Sequence, residues 1–263
     1  MRTSHRSLLI LLLAGALTRP ALAADPHTLV AAKQLLQSGM NHGDAALMLK
    51  ARGQFMGLLA AEPEAAALHY WVAVTDWRVV PMIAGKNRDS AKRYCGEGLA
   101  QCDAALKADP RMAEALAVKA GLQGLAINFN GAAAISLGPA LGANMGRAIE
   151  MAPSNPRIRL LDGINTLHMP AFFGGGADKA LEKFKQAQAL FAAESVADST
   201  APDWGRDDAF LWAGRCAMTL KDYAAARDYF QHALDSNPDN GWVRTGLLPA
   251  AADSLAKQPR VKS

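Results

Sequence analysis

Apolar residues recur three or four positions apart through most of this chain, which is the period of an α-helix with one buried face. No alternation of apolar and polar residues is long enough to predict a strand. Proline closes four of the apolar runs, at Pro63, Pro110, Pro153 and Pro238, because proline cannot continue a helix interior. These prolines lie 47, 43 and 85 residues apart, so the last interval has room for two units. The pattern predicts an all-α protein assembled from helix pairs.

The same pattern places the individual helices. Asp89 or Ser90 is expected to cap one of them, and Pro156 stands in the first turn of another, where its missing N–H does no harm. Pro139 and Gly142 are expected to kink or interrupt their helix. The predicted helices span residues 27–37, 45–61, 64–80, 90–108, 112–127, 132–151, 156–168, 177–193, the two halves of 207–240, and 241–257, the last interrupted near Pro249.

Residues 207–240 form the clearest unit, two short amphipathic helices joined at Lys221-Asp222. Small residues occupy the positions where the helices must touch, and large aromatic residues seal the outside: Gly214, Ala226 and Ala233, and then Phe210, Tyr223 and Phe230. This spacing resembles the roughly 34-residue tetratricopeptide (TPR) repeat. The resemblance implies a TPR-like α-α superhelix, a solenoid of antiparallel helix pairs that extends over a single domain from residue 24 to residue 257.

The first 23 residues are typical of a secretory signal peptide. Arg2 and Arg6 precede an apolar run at residues 8–17, and Ala21-Leu22-Ala23 matches a cleavage site. About ten apolar residues are too few to span a bilayer, which takes roughly 20. The mature chain is expected to begin at Ala24 and to be periplasmic, and residues 258–263 are expected to form a disordered tail.

Removal of this leader changes the charge. The whole chain carries a net charge of +4, and the leader contributes three arginines and no acid, which leaves +1 for the rest. This balance favours neither nucleic acid nor an anionic membrane as a partner. We expect a protein or peptide partner and no membrane insertion after cleavage.

A longer resemblance covers residues 155–249. The motifs NPRIRLLDGINTLHMPAFFGGGADKALEKF, DWGRDDAFLWAG and NPDNGWVRTGLLP resemble a group of exported bacterial TPR proteins with a Gly-rich loop inside one repeat. Export, repeat length and a Gly-Gly before a K-A-L-x-x-F helix are also similar to the periplasmic TPR component of TRAP transporters. The first resemblance implies a periplasmic protein-interaction or scaffold role.

The TPR resemblance also implies which residues face the concave groove. If Gly163 and Gly214 are the small packing residues of two repeats, the groove positions follow from the first helix of each repeat. They are Arg157, Leu160, Ile164 and Leu167 in one repeat, and Asp208, Leu211, Arg215 and Met218 in the other. Such a surface would suit a hydrophobic segment that carries an acidic group.

The loop after residue 170 is the most unusual run in the chain, Ala171-Phe172-Phe173-Gly174-Gly175-Gly176. A phosphate-binding loop needs a preceding strand and a Lys-Ser/Thr after its last glycine, and neither is present. One interpretation is structural: the glycines allow positive φ angles, and Phe172 and Phe173 fold back on the hydrophobic core. The other is that the loop contacts a ligand.

No group of residues in the sequence is a strong candidate for catalysis or for metal binding. The histidines lack the spacing of a metal site, and Cys95, Cys102 and Cys216 are interpreted as buried thiols without a disulfide. Asp207 and Asp208 are predicted to lie at the start of a helix, where the helix dipole stabilises carboxylates. We interpret them in this structural role and not as a pair of catalytic acids. We therefore expect no cofactor, no metal and no enzymatic activity. Tyr70, Trp71 and Trp77 are interpreted as core, with an exposed partner anchor as the alternative.

Three functions are compared on this basis. The first is a periplasmic interaction or scaffold module that binds a peptide or partner protein in the concave groove. The second is a periplasmic small-molecule carrier or transporter accessory protein that holds an apolar ligand in the same hollow. The third, an enzyme, has no supporting residues. A deep closed cavity would favour the carrier, whereas an open channel with exposed side chains would favour the interaction module.

Overall fold

A computed structural model describes residues 26–258 of the chain. The signal peptide predicted at residues 1–23 lies outside this part, as does the chain beyond residue 258. The described residues form helices joined by short turns, except for one longer connection at residues 194–205, and contain no strand. The helices are α1 (Pro26–His42), α2 (Ala45–Ala61), α3 (Ala66–Ile83), α4 (Arg88–Ala108), α5 (Ala113–Phe129), α6 (Ala134–Met151), α7 (Pro156–His168), α8 (Ala177–Ala193), α9 (Arg206–Thr219), α10 (Tyr223–Ser236) and α11 (Leu248–Ala256).

Consecutive helices pack as pairs, from α1 with α2 to α9 with α10, and α11 packs on α10 at the end. The first helices of successive pairs also touch, α3 with α5, α5 with α7 and α7 with α9. This is the arrangement of an α-α superhelix, so the predicted fold class is confirmed. The first helices are the more buried ones: α7 has nine buried residues among 13, whereas α6 has two among 18.

Some helix boundaries differ from the prediction. Asn87, whose side chain accepts a hydrogen bond from the Ser90 amide, caps α4, so the predicted caps at Asp89 and Ser90 were wrong. Helix α6 continues through Pro139 and Gly142 without an interruption, so of the two expected outcomes only a kink stays a prediction. Proline leaves the carbonyl of Ile135 without its helical donor, and Ile135 is 85% exposed, so water can supply the missing hydrogen bond.

Glycine sets the closest helix approach in two pairs. A Cβ atom at Gly163 would lie 2.5 Å from the Phe184 ring, and a Cβ at Gly214 would lie 2.5 Å from the Phe230 ring. The two helices of each pair therefore approach more closely than any side chain larger than glycine allows. The partner of Gly214 was expected near Ala226; the ring of Phe230, one helical turn farther along α10, occupies that place.

The aromatic and sulfur residues of the core agree with the sequence interpretation. Tyr70 is fully buried, Trp71 and Trp77 are 2% and 7% exposed, and Trp71 stacks on Phe55 with ring centroids 5.7 Å apart. The three cysteines are buried free thiols. Burial raises the pKa of Cys95 to about 11, which keeps its thiol protonated and unreactive at neutral pH.

Candidate functional site

The inner side of the superhelix is crossed by the chain itself. Residues 194–205, which connect α8 to α9, contact the first helices of several pairs, and we call them the crossing segment. Lys33 of α1 donates hydrogen bonds to the carbonyl oxygens of Ser199 and Ala201, both at 2.6 Å, and pairs with Asp203 at 3.1 Å. The groove that the sequence predicts is therefore partly filled from within.

Trp204 anchors the end of the crossing segment. Its indole Nε1 donates to the Tyr70 hydroxyl at 2.9 Å, and its ring lies 5.8 Å from that of Trp77. The Arg78 guanidinium lies over the Trp204 ring at 4.9 Å. The sequence analysis did not single out Trp204, because a single tryptophan in a polar, proline-containing loop is not part of any periodic pattern. The one available signal was that a large aromatic residue stands alone in a polar loop.

Arg157, one of the predicted groove residues, is committed to an ion network. Its Nε donates to Glu114 at 2.8 Å, and its terminal nitrogens pair with Glu194 at the start of the crossing segment. Glu114 also accepts from Asn155 at 2.6 Å. Burial lowers the pKa of Arg157, but the attraction of Glu114 and Glu194 outweighs it and raises that pKa above its usual value.

The other predicted groove positions divide into two groups. Leu160, Ile164, Asp208 and Leu211 are buried like Arg157, and Asp208 forms a two-pronged ion pair with Arg78. The second group is only partly buried and consists of Leu167, Arg215 and Met218. All three stand near the C-terminal ends of α7 and α9, so the predicted groove is accessible to solvent at that end.

Arg215 lies between two tryptophans at this accessible end. Its guanidinium carbon is 4.3 Å from the centroid of Trp212 and 5.3 Å from that of Trp242. No carboxylate among residues 26–258 forms an ion pair with it, and burial lowers its pKa below the usual value. His168, the last residue of α7, packs edge-on against Trp212 with ring centroids 5.8 Å apart.

The glycine-rich loop is a rigid turn with its aromatic rings in solvent. Phe172 and Phe173 are 92% and 71% exposed, so the expectation that they fold back on the core was wrong. The glycine part of that interpretation is confirmed, since Gly174 and Gly176 have φ angles of +89° and +121°. Four backbone hydrogen bonds from residues 173–176 to carbonyls of residues 166–171 close the turn, and the closed turn leaves both rings largely in solvent.

Between residues 26 and 258 no three His, Cys, Asp or Glu side chains are grouped as a metal site would require. No helix in the same range has the length and apolar character needed to cross a membrane.

Comparison with known proteins adds information on the fold. No protein-family model matches the chain, and no curated protein matches it in sequence. Among solved structures it is similar to TTC0263, a thermophilic TPR protein of Thermus thermophilus, with a TM-score of 0.60 and 18% identity over 88% of this chain and 98% of that one. It is also similar to the HusA haemophore of Porphyromonas gingivalis, with a TM-score of 0.59 and 22% identity over 74% of this chain and 91% of that one. These likenesses confirm the predicted TPR-like fold, while the resemblance to TRAP transporter components stays a prediction.

Proposed function

We propose that this protein is an exported TPR-type interaction or scaffold module that binds a protein or peptide partner at the C-terminal ends of α7 and α9. The observation that carries the proposal is the exposure of Phe172 and Phe173 on a hydrogen-bonded turn. Two aromatic rings held in water lose little conformational freedom on binding, and buried aromatic anchors supply much of the energy of protein interfaces.

Arg215 gives this surface a second recognition element. A guanidinium flanked by two tryptophans and without a carboxylate of its own can accept an acidic group from a partner. His168 connects it to the phenylalanine turn, since it packs on Trp212 and precedes Phe172 by four residues. We call this surface the partner face, defined by His168, Phe172, Phe173, Trp212, Arg215 and Trp242.

The partner face is a smaller surface than the groove that the sequence predicts. Of the eight groove positions, only Arg215 belongs to it. Leu167 and Met218 are partly buried near the same helix ends, and the other five are buried and support the helices that present the partner face. The chemistry of the expected partner is unchanged: a segment with apolar side chains for the phenylalanines and a carboxylate for Arg215.

Photo-crosslinking in the native envelope tests this proposal. p-Benzoylphenylalanine at position 172 should give a defined protein adduct. The yield of this adduct should fall at least several-fold when the Arg215→Gln substitution is added. The control carries the same photoreactive residue at Met56, a 38% exposed apolar residue on α2. Equal adduct formation at positions 172 and 56, or no effect of Arg215→Gln, would contradict the proposal.

The export part of the proposal is supported by the leader pattern. N-terminal sequencing of the protein recovered from the envelope should begin within a residue or two of Ala24. A protein that retains Met1 in the cytoplasm would refute export while leaving the partner face untouched.

Small-molecule carriage is the second candidate, because a cavity of about 560 Å³ lies between α1, α3 and the crossing segment. The structural neighbour HusA is a haemophore. The walls of the cavity here include Met40 and the basic residues Lys33, Arg78 and Arg206 but no histidine, tyrosine or cysteine, so none of those three residue types could act as an axial ligand to a haem bound there. Titration with haemin, followed by its absorbance, tests this function, which predicts a saturable one-to-one complex.

A further inference from the structure

A second cavity lies between α6 and the C-terminal half of α7, and we call it the α6–α7 cleft. Helix α6 packs closely on α5 but touches α7 only slightly, whereas α4 packs closely on α5 and α8 on α9. The space left by this weak packing has a volume of about 360 Å³, within the range of roughly 300–1,000 Å³ typical of ligand pockets. Phe173 lines the cleft and also belongs to the partner face, so the two surfaces are continuous.

Two glycines of α6 keep the cleft open. Gly142 and Gly146 line it one helical turn apart, and a Cβ atom at either position would meet nothing within 4 Å. The apolar side chains on the walls of the cleft are Leu141, Met145, Ile149, Met169 and Phe173. A segment of another protein can therefore approach the backbone of α6 closely and bury apolar surface there.

The cleft offers no unpaired charge to such a segment. Asp162 and Lys183 are the only charged residues that line it in the described part of the chain, and they pair with each other at 2.8 Å. Lys183 also donates to the Thr166 hydroxyl at 2.8 Å. A charged group placed here by a partner would find no counter-ion unless it displaced one member of this pair, which is costly. The cleft is therefore complementary to an uncharged segment.

Arg215 stands on the α9 side of α7 and has the opposite character. His168, at the end of α7, packs on Trp212 of α9, and Trp212 lies against Arg215. No carboxylate among residues 26–258 forms an ion pair with Arg215, so this position suits an acidic group. A partner that reached both places would pass the end of α7 at Phe173, with its acidic part at α9 and its uncharged part at α6.

We infer that the protein bound at the partner face also inserts an uncharged, apolar segment into the α6–α7 cleft, where its side chains pack on Gly142, Gly146 and Phe173. The inference rests on the proposed function and deepens it, since it states the chemistry of a second part of the partner. The acidic group of the partner meets Arg215, and its uncharged apolar part meets α6.

The first test fills the cleft in the full chain that carries p-benzoylphenylalanine at position 172, in the native envelope. Gly142→Trp should occupy the open space and lower the yield of the adduct at least fivefold. Ala143→Trp is the matched control, because Ala143 is exposed on the same helix but does not line the cleft, and the yield should stay unchanged. Equal yields from the two variants would overturn the inference, while the adduct itself would still support the proposed function.

A charge series at the same position tests the chemistry of the docked segment. Gly142→Gln, Gly142→Glu and Gly142→Lys introduce side chains of similar length into open space, so the comparison separates charge from size. Both charged variants should give at least threefold less adduct than Gly142→Gln. A yield that rises with Gly142→Lys would indicate an acidic segment, and one that rises with Gly142→Glu would indicate a basic segment; either result would overturn the inference.

A photoreactive residue in the cleft separates this inference from the proposed function. p-Benzoylphenylalanine at Leu141, whose partly buried side chain already lines the cleft, should crosslink to the same protein as position 172 does. A different protein at position 141, an adduct between two copies of this chain, or no adduct at 141 while 172 reacts would each overturn the inference. An adduct at 141 with none at 172 would refute the partner face and retain the docking of a segment in the cleft, and no adduct at either position would contradict both.

Discussion

Gly214 and Gly163 occupy equivalent places in two helix pairs, and each faces a phenylalanine ring at a distance that leaves no room for a side chain. In an exposed helix, replacing glycine with a larger residue would stabilise by roughly 0.5–1 kcal/mol. At these two positions the same replacement should destabilise the protein, because the added atoms must displace an aromatic ring from a close-packed core. The glycines are therefore a requirement of packing and not of backbone conformation.

Gly214→Leu should lower the free energy of unfolding by about 1–3 kcal/mol, the usual cost of overpacking. The control is Ala224→Gln, on the exposed side of α10, which should be nearly neutral. The sequence also predicts a solvent-facing position for the neighbouring Ala225, but that residue is partly buried against the apolar core between α9 and α10. Thermal melts of both variants measure the difference. A Gly214→Leu protein that melts no lower than the control would show that α9 and α10 are not closely packed at Gly214.

Asp76 is a second residue whose behaviour follows from burial. Its carboxylate is fully buried and accepts from Arg52 at 2.6 and 3.0 Å. Burial raises its pKa to about 6, and the pairing with Arg52 offsets only part of that rise. Because the folded carboxyl binds a proton more readily than the unfolded one, its contribution to stability is greatest below its unfolded pKa and is lost as the pH rises through about 6.

The wild-type protein should therefore gain about 1 kcal/mol of stability relative to Asp76→Asn when the pH falls from 7 to 5. Urea denaturation of both proteins at the two pH values measures this difference, and other titrating groups cancel in the comparison. An identical pH response of the two proteins would mean that Asp76 is ionised throughout this range in the folded state.

At the scale of elements, the turn between α7 and α8 shows how a short motif can be rigid and exposed at once. A Cβ atom at Gly175 would lie 1.9 Å from the carbonyl oxygen of Met169. Since that obstacle is backbone, it cannot move aside as a flexible side chain could. The close approach keeps the turn tight, and the tight turn presents Phe172 and Phe173 to solvent.

Gly175→Ala should destabilise the protein by about 1–3 kcal/mol and should weaken the crosslink expected at position 172. Gly146→Ala is its matched control on α6, where a Cβ would meet nothing within 4 Å, and it should stabilise by up to about 1 kcal/mol. Chemical denaturation of the two variants gives both values. If Gly175→Ala proved as stable as Gly146→Ala, the turn could not have the backbone contact described here.

At the scale of the whole molecule, the crossing segment joins helices that are distant in sequence. The hydrogen bond from Trp204 to Tyr70 spans 134 positions, and that from Asn237 to Asn41 spans 196. The first contact joins the crossing segment to α3 in the second helix pair, and the second joins the end of α10 to α1. The superhelix is therefore held together across its inner side as well as between neighbouring repeats.

Trp204→Ala should cost about 3–5 kcal/mol, as large aromatic truncations in a core do, and residues 195–203 should become sensitive to protease under native conditions. Trp242→Ala is the control, because Trp242 is 49% exposed and its loss should change stability far less. Equal destabilisation by the two truncations, or a crossing segment that resists protease in the Trp204→Ala protein, would show that Trp204 does not hold it.

The sequence by itself determined the helices and their pairing. Helical periodicity and helix-ending prolines are local signals, and they placed α2 and α8 to the residue and α7 and α10 as helices of the correct pairs. The packing glycines Gly163 and Gly214 followed as well, because the repeat spacing fixes which residue faces the partner helix.

Only the tertiary structure decided which surfaces are open. The predicted groove residues Arg157, Leu160 and Asp208 are buried, and the predicted core residues Phe172 and Phe173 are exposed. Neither outcome can be derived from a local sequence pattern. The crossing segment contacts a helix that is 168 positions away in the sequence, and the turn at residues 170–176 is closed by its own backbone hydrogen bonds. Burial is a property of what lies opposite a residue in space, and the period of a helix specifies only the direction in which that residue points.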